Sequence, residues 1–176
     1  MTSRTLDNEV KINDVHNFLL EQDVAHNLIF NCRVFDDPEG RENLSGHIGF
    51  HPEIIVGLFR GRSNELEGRA IFAGYKYFLD ALLQKRAERA RVIVYCDSGV
   101  HRSVAMTYVL SRIALKVGII VDPATHWSQY WQQQKRCQRI GRDSCLFCNW
   151  HITRRDEVFE ELYQIYEEVQ ACNPDS

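Results

Sequence analysis

Val92-Ile93-Val94-Tyr95-Cys96-Asp97-Ser98-Gly99-Val100-His101-Arg102-Ser103 changes character at its middle. Its first four residues are β-branched or aromatic and read as a buried strand. From Cys96 the chain turns small and polar. Ser98 and Gly99 let it bend tightly, and Gly99 admits a close backbone approach that a side chain would block. A helix follows from about Arg102 to Lys116, apolar over much of its surface through Val104, Met106, Tyr108, Val109, Leu110, Ile113 and Leu115, and Gly118 ends it. In an open α/β sheet, ligands gather beyond the carboxyl ends of the strands. The first amides of a helix have no internal partner and carry the positive end of its dipole. The loop therefore reads as an anion site, with a phosphoryl group as the expected ligand. Arg102 supplies a two-pronged guanidinium, and Ser98, Gly99, Val100, His101 and Ser103 supply donors. The plainer reading is a strand-to-helix turn with a capping Ser and a surface Arg. Gly, His, Arg and Ser within five positions behind a strand favour the anion site.

Upstream, Leu28 to Phe35 is a second short apolar run, closed by Asp36-Asp37-Pro38-Glu39-Gly40. Arg33 follows this strand. It either faces the same crevice, which is the preferred reading, or pairs at the edge with Asp36 or Asp37. Val15 to Leu20 reads as a short helix, and Pro52 opens another through Phe59. Ile71, Phe72, Tyr75, Phe78, Leu79, Leu82 and Leu83 step by threes and fours along an amphipathic helix from Arg69 to about Arg89. Downstream, Ile119 to Val121 reads as a third strand. Thr153, a plausible N-cap, opens a closing helix to Gln170. Strands alternating with helices predict an α/β fold: one small domain whose mostly parallel sheet is covered by helices, with an irregular Cys-rich excursion and a C-terminal helix. The expected divisions are a polar segment with a short helix over 1–26, an α/β core over 27–122, the excursion over 123–152, and a helix and tail over 153–176.

At 176 residues and 44% apolar composition, the chain suits one core. No run of eighteen apolar residues exists, so no membrane span is expected. Met1 to Lys11 lacks the apolar stretch of a secretory signal. An intracellular setting, cytoplasmic or nuclear, is expected. The net charge of −3 disfavours nucleic acid as the main partner; no protein partner can be named.

The six cysteines are expected to be reduced. Cys145-x2-Cys148 has the spacing of a zinc knuckle, and Cys137 precedes it with seven residues between. With His151, or alternatively His126, three thiolates and an imidazole would close a structural site and supply folding energy to a segment with little apolar content. The alternative is three unconnected thiols. His16, His26 and His47 read as surface residues.

Two families share the central loop. Cys96 and Arg102 have the Cys-x5-Arg spacing of cysteine-dependent protein tyrosine phosphatases, with Gly99 and Ser103 also matching, although Tyr95 stands where those enzymes have His. That resemblance implies a Cys96 thiolate attacking phosphorus while Arg102 holds the phosphoryl oxygens. A longer stretch, about Leu28 to Val121, resembles the C-terminal domain of the bacterial RNase adapter protein RapZ. Cys96, Gly99, His101, Arg102, Ser103 and Val104 match its loop, with Asp97 and Ser98 in place of Thr and Gly. Asn31-Cys32-Arg33, Pro38 and Leu44-Ser45-Gly46 match its earlier motifs, with Asn31 in place of Asp. This second resemblance implies a pocket for a phosphorylated metabolite, glucosamine-6-phosphate in the bacterial case, and a sensor or adapter role without catalysis. The alternatives are a phosphatase using Cys96 and Arg102, and a zinc-stabilised interaction module. Asp97 is an anion inside an anion loop, so its side chain must point away or meet a cation.

Overall fold

The computed structural model describes residues 26–36, 44–87, 89–124 and 152–171. Two strands, β1 (Asn27–Asn31) and β2 (Arg91–Tyr95), pair in parallel, with Asn27 opposite Arg91 and Asn31 opposite Tyr95. Among the described residues four α-helices accompany them: α1 (Pro52–Gly57), α2 (Arg62–Lys85), α3 (Arg102–Lys116) and α4 (Ile152–Ala171). The fold is mixed α/β with a small parallel sheet, as the alternation of patterns predicts. No helix among the described residues is long and apolar enough to cross a membrane.

The third strand is not formed. Ile119, Ile120 and Val121 lie in irregular chain, and the sheet of the described residues has two strands. Ile120 is 92% exposed, while Ile119 and Val121 pack against the core. The helix ending accounts for this. The N–H groups of Gly118 and Ile119 turn back to the carbonyls of Leu115 and Ala114, with Gly118 at φ 86°, which anchors the segment to α3. The first strand also ends sooner than its apolar run. Asn31 caps a 3-10 turn over Cys32–Val34, its side chain accepting from the Arg33 N–H. Nor is the strand uniformly buried: Phe30 is in the core and Ile29 is 49% exposed.

The helices cover the Phe30 side. Ile71, Phe72, Tyr75 and Leu79 bury one stripe of α2. Tyr75 meets Phe30 edge to face and donates its hydroxyl to the Leu110 carbonyl of α3 at 3.0 Å. Helix α3 is central, with Val104, Ala105, Met106, Val109, Leu110, Ile113 and Ala114 all buried. Val158, Phe159, Leu162 and Tyr166 of α4 close the layer, Tyr166 meeting Phe72. Helix α2 begins at Arg62, seven residues before the expected Arg69. Its first turn looks polar because Asn64 is a buried tie: its Nδ2 donates to the Gly57 carbonyl and its Oδ1 accepts from the Asp36 N–H. Helix α4 starts at Ile152, so Thr153 falls inside it rather than at its cap. The expected helix at Val15 to Leu20 lies outside the described residues.

Candidate anion-binding site

The site forms where β2 leaves the sheet and α3 begins. Gly99 takes φ 67°, a left-handed conformation that favours glycine. Helix α3 starts at Arg102 with His101 as its N-cap and no capping side chain, so its leading amides face the loop. Cys96, Val100, His101, Arg102 and Ser103 are buried, Ser98 and Gly99 are half-buried, and Asp97 is exposed.

The Cys96 sulfur lies within the bend. It accepts from the N–H groups of Gly99 (3.3 Å) and Ser103 (3.5 Å), and its thiol donates to Ser103 Oγ at 3.2 Å. Cys32 follows the Asn31–Tyr95 pair just as Cys96 does, which brings the two thiols to the ends of neighbouring strands. Burial first, and the neighbouring Cys96 second, push the Cys32 thiol well above its ordinary range, with Arg102 opposing. Both cysteines are free.

The second feature is a bridge between two cations. Arg102 NH2 donates to Asp97 Oδ2 at 2.6 Å and its NH1 to the Phe35 carbonyl at 2.8 Å. Arg33 Nε lies 2.9 Å from Asp97 Oδ1, with its guanidinium 5.6 Å from the centre of the Tyr95 ring. The anion inside the loop therefore meets two cations, and Arg33 faces the crevice.

A third layer holds the loop from behind. His101 Nε2 donates to the His47 carbonyl at 2.7 Å, and the Gly49 N–H donates to the Val100 carbonyl at 2.9 Å. Gly49 packs so closely that an added Cβ would fall 2.3 Å from the His101 carbonyl oxygen and 2.5 Å from the Ala105 nitrogen. His47 is accordingly half-buried against the site rather than a plain surface residue, its ring 4.4 Å from that of His51. His51 is buried and caps α1 by accepting from the Glu53 N–H.

The family model of the RapZ C-terminal domain matches residues 14–125, well over half of the chain. The chain belongs to the RapZ C-terminal domain family. No curated protein and no solved structure matches it. The RapZ C-terminal match contains both strands, the loop and α3, and it ends before Cys137.

The structure thus gathers Cys96, Ser98, Gly99, Val100, His101, Arg102, Ser103 and Arg33 at one end of the sheet. Cys137, Cys145, Cys148, His151 and His126, the expected zinc ligands, lie outside the described residues, as does the excursion that carries them. Among the described residues no cluster of three metal-binding side chains occurs. Sequence reasoning missed Gly49, His51 and Asn64. Gly49 and Asn64 carry no periodic signal, whereas His51 before Pro52 in the first turn of a helix is a readable cap.

Proposed function

We propose that this RapZ C-terminal-family chain binds a phosphorylated small molecule, a phosphosugar or nucleotide-type anion, at Cys96 to Ser103, and acts as a sensor or adapter. One observation carries the reading: two guanidinium groups, from the end of β1 and the start of α3, converge on a single carboxylate at the C-terminal edge of the sheet. A place that holds one anion this way suits another. The α3 dipole and the leading amides of that helix add to the field there. Calorimetric titration with a phosphate monoester tests it. Arg33→Ala and Arg102→Lys each remove a fork that a lone ammonium cannot replace. Losing a charge-assisted hydrogen bond costs about 1.5–3 kcal/mol, roughly ten- to 150-fold in affinity. Equal affinity in the wild type and both variants refutes the reading.

A second reading, phosphoryl transfer to Cys96, is favoured by the sulfur's position beneath two amide donors and the Ser103 hydroxyl. Its test is hydrolysis of an aryl phosphate. Turnover that disappears in Cys96→Ser would establish it, and absence of turnover in a protein that binds the ester leaves the sensor reading. For Cys137, Cys145, Cys148 and His151 (or His126) the proposal is a structural zinc ion that holds the excursion together.

A further inference from the structure

We propose that Asp97 is a built-in competitor for the anion site: its carboxylate occupies the place of the incoming phosphoryl group and is displaced when that group binds. The proposal rests on the phosphate reading and adds how the site is regulated. The carboxylate uses both oxygens, Oδ2 on Arg102 and Oδ1 on Arg33, which is how a phosphoryl group would bridge the same two forks. Exposure orders the three groups. The Asp97 side chain is 55% exposed, that of Arg33 32% and that of Arg102 7%, so the carboxylate is the most accessible of the three to solvent. A ligand arriving from solvent meets the carboxylate before it meets the buried guanidinium.

Displacement needs little rearrangement. Asp97 lies in neither strand nor helix, and its flanks are fixed: Cys96 by the Gly99 and Ser103 amides, Val100 by the Gly49 N–H. A turn of an exposed side chain is enough to open the place. While no ligand is bound, the carboxylate neutralises two neighbouring cations that would otherwise repel and spread, and so keeps the forks organised. A single negative charge from solution gains nothing over the internal one. A phosphate monoester brings three oxygens and up to two charges, and can win the exchange. Asp97 thereby raises the threshold for binding and selects dianions over carboxylates.

The test is calorimetric titration of the full chain with inorganic phosphate at neutral pH and fixed chloride. Asp97→Asn keeps the shape of the side chain and removes its charge, and Asp97→Ala removes charge and size. Thermal unfolding of each variant checks that it is folded. The expected result is phosphate binding at least about tenfold tighter in both variants than in the wild type, with acetate binding detectable in the variants alone. Equal phosphate affinity in all three proteins overturns the competitor role while leaving the phosphate site standing. Weaker binding in both variants also overturns it, since Asp97 would then only position the arginines. Binding by none of the three overturns both this inference and the proposed function.

Discussion

Gly49→Ala is the substitution whose effect follows most directly from the packing behind the loop. A Cβ at this position would sit 2.3 Å from the His101 carbonyl oxygen, 2.5 Å from the Ala105 nitrogen and 2.7 Å from Val104 Cβ. Two of these atoms are backbone at the start of α3, so no side chain can swing aside. The turn must lift off the helix. Overpacking of this kind costs about 1–3 kcal/mol. Lifting also loosens the Gly49 N–H to Val100 bond and the His101 to His47 bond. Each is worth about 0.5–1.5 kcal/mol. Alanine's stiffer unfolded chain returns about 0.4–1 kcal/mol. The central expectation is a loss of about 3 kcal/mol, a large part of the roughly 5–15 kcal/mol by which domains are stable. In a chain of this size that lowers the melting temperature by about 6–12 °C. Urea unfolding measures the loss, and phosphate titration of the folded variant should show weakened binding because the loop has lost its backing. A loss below about 1 kcal/mol with unchanged phosphate binding would refute the packing argument.

Three further outcomes follow from other parts of the molecule. Arg86 ends α2 in the left-handed region at φ 48°, so Arg86→Gly should stabilise the protein by about 0.5–1 kcal/mol in urea unfolding; a loss of stability would contradict the strain. Burial first, then neighbouring charge, holds the Cys32 thiol and the Tyr75 phenol above their ordinary ionisation ranges, so both stay neutral when folded while their unfolded counterparts ionise. That stability is whole below about pH 8.5 and is lost as pH rises, by up to about 1.4 kcal/mol per pH unit from Cys32 and again from Tyr75 beyond about pH 10. Cys32→Ala should flatten the first part of this fall, and an unchanged slope would exclude Cys32 as its source. Elemental analysis of the reduced protein should find about one zinc per chain, lost in Cys145→Ser and in Cys148→Ser, whereas metal-free protein with Cys137, Cys145 and Cys148 all freely reactive would leave three ordinary thiols.

The fold was legible wherever one pattern repeated along an element. Val92 to Tyr95 and the helix after Ser103 announce strand, turn and helix, and the threes and fours from Ile71 to Leu79 announce α2. Legibility failed where a residue's role is set by a distant partner. Ile119 to Val121 has a strand's composition, but the turn-back at Gly118 commits its first residue to α3. The first turn of α2 hid because Asn64, polar in sequence, is buried between Gly57 and Asp36. At the site the turn at Gly99 and the start of the helix at Arg102 were legible from residue types, and charge alone left Asp97 either to point away or to meet a cation. Its bridging of both Arg33 and Arg102 depends on β1 and β2 lying side by side, which no local spacing encodes. Gly49 was invisible for the same reason, since its constraint comes from His101 and Ala105, over fifty residues away in the chain.

The central claim, that the loop from Cys96 to Ser103 binds a phosphoryl anion, is tested most directly by titrating isotope-labelled protein with a phosphate monoester and following each amide and arginine Nε signal by NMR. The account predicts saturable shifts centred on the amides of Gly99, Arg102 and Ser103 and on the Nε groups of Arg33 and Arg102, with Asp97 shifting as its carboxylate leaves. Saturable shifts centred on another surface, with these signals unmoved, would contradict it.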